Sequence, residues 1–210
     1  MIKVLVADDH AVVRRGLRQI LSETSDIMVG GEAATAPETL QRVREQRWDV
    51  VILDISLPDG NGIELIGEIR RERPETRVLV LTVHSEDQYA VRAVRAGAAG
   101  FLTKETAPSL LVDAVRRVAT GGRYVSMELA ETLASMLAGE AKGEPHEHLS
   151  DREFEVMKLL ASGKTVSQIA QSLGLSVKTI STHRTRILRK MNMKTNAELT
   201  QYAVRRGLVA

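Results

Sequence analysis

The first 120 residues alternate between short apolar runs and longer amphipathic stretches, and this alternation constrains the fold more than any other feature of the chain. The apolar runs have the length of strands, at residues 2–7, 27–33, 49–53, 77–82 and 99–102. The stretches between them have helical spacing, at about 10–22, 36–46, 62–73, 86–96 and 107–120. Five successive strand–helix units predict an α/β domain: a doubly wound, five-stranded parallel sheet with helices on both faces.

A different pattern follows this domain, which we expect to occupy residues 1–122. Residues 123–148 have the composition of a linker, with one short helix predicted over 127–138 and a polar tract rich in Gly and Pro over 139–148. His146 and His148 lie in this tract, and we expect them to be solvated rather than to bind a metal.

Residues 149–210 predict a small all-α domain. Ser150 and Glu153 have the spacing of a capping box, as do Thr165 and Gln168, and Ser176 is placed to cap a further helix. The helices that precede the last two caps are expected to end at Gly163 and Gly174. A short helix, a tight turn and a new helix over residues 169–176 form a helix-turn-helix pattern.

Three carboxylates are predicted to meet at one edge of the sheet. Asp8 and Asp9 follow the first strand, and Asp54 ends the third, Val50-Val51-Ile52-Leu53. Because parallel strands deliver their last side chains to the carboxyl edge of a sheet, these acids should lie close together. Their mutual repulsion favours a divalent cation, and we expect Mg²⁺. The arrangement suits an aspartate, Asp54, that accepts a phosphoryl group.

Two donor side chains complete this predicted site. Thr82 ends the fourth strand and Lys104 follows the fifth, so both reach the same edge as the acids. A hydroxyl and an ammonium are suitable partners for phosphoryl oxygens. Any one of these acids, Thr82 or Lys104 would be common at the end of a strand. Their combination at one edge of the sheet is a specific signal for this kind of site.

Charge is distributed unevenly along the chain. Residues 1–142 hold 18 Lys and Arg against 21 Asp and Glu, whereas from Lys164 onward nine basic residues face the single acid Glu198. A basic region beside an acidic one indicates that one module binds nucleic acid, although charge alone is also consistent with a solvated basic face.

The candidate recognition helix spans residues 177–191. Its expected core stripe consists of Ile180, Ile187, Leu188 and Met191. We expect base contacts from Ser181, Thr182 and Thr185. Phosphate contacts are expected from Lys178, Thr179, Arg186, Arg189 and the backbone amides near Ser176. His183 should make a structural hydrogen bond near the inner edge of the helix, and Arg184 should reach the DNA backbone.

These motifs resemble those of two-component response regulators of the NarL/FixJ subfamily, in which a receiver domain precedes a LuxR-type helix-turn-helix domain. The matching stretches are residues 6–10 (VADDH), 52–62 (ILDISLPDGNG), 96–104 (AGAAGFLTK) and 149–153 (LSDRE). The resemblance covers nearly the whole chain outside the linker. It implies a flavodoxin-like receiver fold.

The resemblance also implies roles for individual residues. Asp54 would take its phosphoryl group from a sensor histidine kinase, with Mg²⁺ held by Asp8, Asp9, Asp54 and the main-chain carbonyl of Ile55. Thr82 and Phe101 would form a switch pair in which the aromatic ring turns inward after phosphorylation. Relatives often have Tyr at the position of Phe101. Because Phe101 has no hydroxyl, a hydrogen-bonding role for this ring is excluded here.

We therefore predict a DNA-binding transcription regulator controlled by phosphorylation and not an enzyme, apart from phosphoryl transfer to itself and its own dephosphorylation. Expected partners are promoter DNA, a second copy of the chain when phosphorylated, and RNA polymerase as an additional candidate. Two alternatives stay open: a phosphatase with a covalent Asp54 intermediate, and a regulator whose receiver is only a dimerisation scaffold. The phosphatase is disfavoured because Ser56, not an acid, lies two residues after Asp54.

Two absences bear on location. The chain has no cysteine, which excludes disulfides and thiolate metal sites and fits a reducing compartment. No apolar stretch approaches the roughly 18 residues of a membrane span. We expect a cytoplasmic protein without a membrane partner.

Overall fold

The computed structural model describes residues 1–83, 86–105, 107–137 and 144–209. The chain falls into two compact units, residues 1–134 and 135–210. The division lies within a helix, and the predicted limits of the domains at 122 and 149 stay predictions. No helix in the described ranges is both long and apolar enough to cross a membrane.

The first unit is the predicted parallel sheet. Its strands are β1 (Ile2–Ala7), β2 (Ile27–Ala33), β3 (Val50–Leu53), β4 (Arg77–Thr82) and β5 (Gly100–Thr103). They lie in the order β2-β1-β3-β4-β5, and every pair is parallel. This is the flavodoxin-like order, so the predicted fold class is confirmed. The chain reverses its direction of winding at β1 and β3, where the acidic residues follow the strands.

Helices cover both faces of the sheet. They are α1 (Ala11–Ser22), α2 (Ala36–Glu45), α3 (Gly62–Glu72), α4 (Glu86–Ala96), α5 (Ala107–Ala119) and α6 (Met127–Leu137). One apolar cluster contains Leu17 of α1 and Leu111 of α5, and the other contains Val43 of α2 and Ile66 of α3. Consecutive residues of each central strand belong to alternate clusters, so both faces of the sheet are buried and its strands are apolar throughout.

The second unit consists of a short 3₁₀ helix (Pro145–His148) and four α-helices. These are α7 (Asp151–Ala161), α8 (Val166–Ser172), α9 (Val177–Lys190) and α10 (Asn196–Arg205). Both predicted capping boxes are present, at Ser150 with Glu153 and at Thr165 with Gln168. Gly163 and Gly174 follow α7 and α8 with φ values of 82° and 62°, a backbone conformation that glycine adopts without the steric cost of a Cβ.

The end of the predicted linker packs onto this second unit. The ring of His146 stacks on Phe154, with centroids 5.8 Å apart, and its Nδ1 lies 2.7 Å from the hydroxyl of Tyr202. Glu144 accepts a hydrogen bond from the same hydroxyl at 3.2 Å and pairs with Arg206 at 2.9 Å. Burial and the carboxylate of Glu144 raise the pKa of Tyr202 to about 12. The expectation that His146 is merely solvated was therefore wrong.

Candidate phosphoacceptor site and nucleic-acid interface

The sheet brings the predicted acids together at its carboxyl edge. The amide of Asp54 donates to the carbonyl of Ala7 at 2.8 Å, which ties the end of β3 to the end of β1. Asp8 is held in the same way by Ala33 at the end of β2, at 3.1 Å. The side chains of Asp8 and Asp54 are each only 2% exposed, whereas that of Asp9 is 35% exposed.

Lys104 joins this cluster from the neighbouring strand. Its amide donates to the carbonyl of Thr82 at 2.8 Å, and its ammonium donates to Asp54 Oδ2 at 2.6 Å. Nζ also lies 2.6 Å from Asp8 Oδ2. Burial opposes the charge on Lys104, but the hydrogen bond to Asp54 and the negative charges of Asp54 and Asp8 outweigh it, so the pKa of Lys104 is raised.

One oxygen of this cluster lacks a regular hydrogen bond. Asp8 Oδ2 is buried and has no such partner among the described residues, although Lys104 is close to it. We regard that contact as an ion pair without favourable hydrogen-bond angles. Beside this ion pair, the carboxylate oxygens of Asp8, Asp9 and Asp54 include ligand atoms that lie within 4.8 Å of one another, and carboxylate oxygens are the ligands that hard divalent cations prefer. The residues present therefore fit a bound divalent ion.

A glycine fixes the backbone beside Asp54. A Cβ added to Gly62 would overlap the Cα, carbonyl carbon and carbonyl oxygen of Ile55, so α3 begins against the peptide that carries the predicted metal-binding carbonyl. Asn61 caps this helix by accepting from the amides of Ile63 and Glu64 at 3.0 and 3.2 Å. The close approach allows only glycine at position 62 without a shift of the backbone.

The two predicted switch residues lie in different surroundings. Thr82 ends β4 at the acidic edge and is fully buried. Phe101 lies in β5, also fully buried, in the apolar cluster that contains Val78, Val80 and Leu129. The ring of Phe101 therefore packs inside the core rather than at the acidic edge. His84 follows β4 in the sequence, and we expect it near the path of the water that removes the phosphoryl group, but it lies outside the described residues.

Sequence reasoning missed a clamp behind Asp8. Arg14 donates from Nη1 to the carbonyl of Asp8 at 2.7 Å and from Nε to Glu32 at 3.0 Å. Arg18 also donates to Glu32. The arginines are four residues apart on α1, but nothing in the sequence shows that the carboxylate between them comes from β2.

In the second unit, α9 has the predicted two-sided character. Its core stripe, Ile180, Ile187, Leu188 and Met191, is buried. Of the residues expected to contact DNA, Thr179 is half-buried and the others are exposed, namely Ser176, Lys178, Ser181, Thr182, Thr185, Arg186 and Arg189. Ser176 caps the helix by accepting from the amide of Thr179 at 3.0 Å.

Two polar contacts help to fix the position of α9 in this unit. Lys190 donates to Glu153 at 2.6 Å and thereby ties the end of α9 to the capping box of α7. Burial would raise the pKa of Glu153, but the hydrogen bonds from Lys190 and Ser150 prevail and lower it. Arg152 donates to the carbonyl of Leu173, in the turn before α9, at 3.2 Å.

One prediction about α9 stays untested and another needs correction. Arg184 donates from Nε to Asn196 Oδ1 of α10 at 2.7 Å, and the expected contact of its guanidinium with the DNA backbone stays a prediction. His183 Nδ1 is buried and has no hydrogen-bond partner among the described residues, so the expected structural hydrogen bond is not formed at that nitrogen. Burial lowers the pKa of His183, since it disfavours the charged ring.

Comparisons with known families agree with both units. Residues 4–116 match the response regulator receiver domain, and residues 147–203 match the luxR family of bacterial regulatory proteins. The chain belongs to the response regulators of two-component systems. It combines a receiver with a LuxR-type DNA-binding domain, as predicted. Membership of a family of transcription regulators favours this interpretation over the phosphatase.

Relatives match this response regulator along its whole length. Response regulator UvrY of Escherichia coli K12 is 38% identical over 209 residues, which cover 99% of the chain and 96% of the relative. Response regulator GacA of Pseudomonas aeruginosa is 37% identical over 210 residues, or 100% of the chain and 98% of the relative.

Solved structures of RcsB are also similar to the response regulator. RcsB from Salmonella enterica serovar Typhimurium, bound to promoter rprA in the presence of the phosphomimetic BeF3-, has a TM-score of 0.68 and 26% identity, covering 96% of this chain and 97% of that one. A structure of two RcsB dimers on two parallel DNAs has a TM-score of 0.60 and 28% identity, with coverage of 97% and 98%.

Proposed function

We propose that Asp54 accepts a phosphoryl group from a sensor histidine kinase and that this modification controls promoter binding by α9. The observation that carries the proposal is the convergence of Asp8, Asp54 and Lys104 at the edge of the sheet, with both carboxylates buried and the ammonium 2.6 Å from each. Family membership supports the same conclusion, since a receiver domain implies a kinase partner.

The transfer requires only modest chemistry of this chain. An oxygen of Asp54 forms a bond to phosphorus while the bond between phosphorus and the donor nitrogen of the kinase histidine breaks, and that nitrogen keeps the electron pair. Asp54 Oδ1 already accepts the amide of Ser56 at 3.0 Å, and this orients the carboxylate. Lys104 is positioned to neutralise the added negative charge, which is about −1.5 to −2.

Mg²⁺ is the metal we propose for phosphorylation, held by Asp8, Asp9, Asp54 and the carbonyl of Ile55. When bound, it supplies charge neutralisation for the phosphoryl oxygens. The carboxylates of Asp8, Asp9 and Asp54 support this assignment, because ligand atoms from all three lie within 4.8 Å of one another.

Phosphorylation of Asp54 must then alter the second unit through a conformational change in the receiver. We propose that Thr82 moves toward the phosphoryl oxygens and that the ring of Phe101 turns inward into the freed space. This change would favour one of two packings of α4, α5 and their loops. A shift of the balance between two states from 1:99 to 99:1 needs about 5.5 kcal/mol of differential stabilisation.

On the DNA, we propose that the exposed face of α9 reads bases through Ser181, Thr182 and Thr185. Lys178, Thr179, Arg186, Arg189 and the amides near Ser176 would bind phosphates. A dimer formed on phosphorylation would place two such helices about one DNA turn apart. RNA polymerase is a further proposed partner, and we propose the cytoplasm as the place of action.

The test is direct labelling of the purified full-length protein with acetyl phosphate and Mg²⁺, followed by intact-mass measurement. We expect a mass increase of one phosphoryl group in the wild type and in Asp59→Asn, which removes an exposed acid of the same loop. Asp54→Asn should show none and should lose phosphate-dependent DNA affinity. Labelling of Asp54→Asn equal to the wild type would overturn the assignment.

A further inference from the structure

The loop of residues 8–10 joins β1 to α1 and carries two of the three predicted acids, Asp8 and Asp9. The fold holds the start of this loop through the main chain of Asp8. Its amide donates to the carbonyl of Ala33 at the end of β2, at 3.1 Å. Its carbonyl accepts from Nη1 of Arg14 at 2.7 Å. The orientation of the peptide that joins Asp8 to Asp9 therefore depends on a side chain of α1.

Arg14 is itself held in a fixed direction. Its Nε donates to Glu32 Oε2 at 3.0 Å, and Glu32 lies in β2 opposite Val6 of β1. The side chain of Arg14 is only 17% exposed. A guanidinium is planar and its N–H donors have fixed directions. The bond from Nε to the carboxylate of a strand therefore orients the nitrogen that reaches Asp8.

Arg18 provides a comparison within the same cluster. It lies one turn further along α1 and donates from Nε to the other oxygen of Glu32, at 2.9 Å. Its side chain is 53% exposed. The two arginines thus share one carboxylate. Arg14 connects that carboxylate to the main chain of Asp8, whereas among the described residues the hydrogen bonds of the Arg18 side chain go to Glu32.

The position of the loop bears on the chemistry proposed for Asp54. Lys104 Nζ lies 2.6 Å from both Asp8 and Asp54, so the two carboxylates share one ammonium. A rotation of the peptide between Asp8 and Asp9 would displace these acids relative to Asp54. Phosphoryl transfer depends mainly on positioning and charge neutralisation, and a displacement of about 1 Å can slow a reaction about 100-fold.

We propose that Arg14 is a positioning residue for the phosphorylation of Asp54, acting through the main-chain carbonyl of Asp8. Glu32 orients Arg14 for this role. The role rests on the proposed function, because it concerns the same reaction. The simpler alternative is an arginine that only ties α1 to β2, as Arg18 does.

The rate at which acetyl phosphate labels the full-length protein at saturating Mg²⁺ tests this role. Arg14→Gln should lower the maximal rate about tenfold or more, because it removes the guanidinium that holds the Asp8 carbonyl. Arg18→Gln loses a bond to the same carboxylate, at a more exposed position, and should stay within about twofold of the wild type. A wild-type rate in Arg14→Gln would overturn the proposal, and so would equal slowing in Arg18→Gln.

Arg14→Lys separates geometry from charge and supplies a second variant. Lysine keeps the positive charge, but its single nitrogen does not reproduce the planar fork that holds Glu32 and the Asp8 carbonyl together. We expect this variant to be slow as well, and a wild-type rate in Arg14→Lys would contradict positioning. Urea unfolding followed by the fluorescence of Trp48 gives the folded fraction of each variant, by which its rate is corrected.

NMR signals of the loop report on the peptide directly, without metal or phosphoryl donor. In Arg14→Gln, the carbonyl carbon of Asp8 and the amide of Asp9 should shift, because the hydrogen bond to their shared peptide is lost. In Arg18→Gln, both signals should keep their wild-type positions. Unshifted signals in Arg14→Gln would contradict the role of Arg14.

Labelling of the wild type separates this inference from the proposed function. If the wild type and Arg14→Gln are labelled at the same rate, only the role of Arg14 fails. If the wild type is not labelled, the role of Asp54 fails, whatever the NMR signals show.

Discussion

The two units use charge in opposite ways. In the receiver, Asp8 and Asp54 are almost completely buried, and Lys104 contacts both. On α9, the basic residues expected to contact DNA, Lys178, Arg186 and Arg189, are exposed. A buried charge is costly unless the fold supplies a partner for it, whereas an exposed charge is solvated by water until an external ligand binds. The sheet therefore supplies the partners of the charges in the receiver site, whereas the basic residues of α9 would find theirs only in bound DNA.

The largest effect should come from separating the two units. Phe154→Ala truncates a fully buried ring in α7 and should destabilise the second unit by about 3–5 kcal/mol. DNA binding should be lost, while labelling of Asp54 by acetyl phosphate continues. Intact-mass labelling and a DNA mobility-shift assay on the same preparation check this. Loss of both activities together would show that the receiver site is not independent of the second core.

The next largest effect concerns the close contact between Gly62 and the backbone of Ile55 at the edge of the sheet. Gly62→Ala forces a Cβ against the backbone of Ile55 and should cost about 1–3 kcal/mol of unfolding free energy. Mg²⁺ affinity should fall as well, because the Ile55 carbonyl moves.

The matched control for Gly62 is Gly67→Ala. A Cβ at Gly67, in the same helix, meets nothing within 4 Å. This change should be neutral or stabilise by up to about 1 kcal/mol. Urea unfolding followed by the fluorescence of Trp48, together with Mg²⁺ calorimetry, measures both. Equal behaviour of the two variants would mean that the edge tolerates displacement.

A smaller effect is expected on the exposed surface. Arg189→Ala should weaken binding about equally on specific and unrelated DNA, and should reduce the slope of log K against log salt by about one. Arg205→Ala, an exposed arginine of α10, serves as the control and should leave the slope unchanged. Fluorescence anisotropy over a salt series measures it. Sequence-dependent weakening would place Arg189 at a base instead.

The smallest effect is a dependence on pH in the second unit. Burial lowers the pKa of His183 below 6.5, so the unfolded state takes up a proton before the folded state does. Stability of this unit should therefore fall as pH decreases through about 6.5, the window set by the unfolded ring.

Urea unfolding followed by the amide NMR signals of α9 tests this dependence. His183→Gln should flatten the slope between about pH 7 and pH 5.5, a window around the ordinary histidine pKa. His148→Gln should keep the slope. The lowered pKa of Glu153 acts in a separate range, since its contribution is lost only below the ordinary pKa of 4.5. A slope that survives in His183→Gln would rule out His183 as its source.

Most of the fold follows from local sequence signals. The strands Ile27–Ala33 and Arg77–Thr82 begin and end where their apolar runs do, and every other element of the receiver is within one residue of its predicted limits. Both capping boxes were readable because their residues are three positions apart. The sheet edge that collects Asp8, Asp54 and Lys104 follows from parallel topology alone.

What the sequence could not supply are contacts between distant side chains. The pairing of Lys190 with Glu153 spans 37 residues, and the clamp from Arg14 to Glu32 joins a helix to the strand that follows it. No periodicity encodes such pairs. His183 was misjudged for a related reason, since the neighbours of an inner-edge nitrogen depend on how α9 packs against the other helices.

The stacking of His146 on Phe154, and the bonds from Glu144 to Tyr202 and Arg206, carry a practical consequence for protein engineering. A truncated protein that starts at Leu149 lacks Glu144 and His146, and therefore loses their contacts with Phe154 of α7 and Tyr202 of α10. Chimaeras that graft another sensory module onto this DNA reader should therefore place the splice upstream of Glu144.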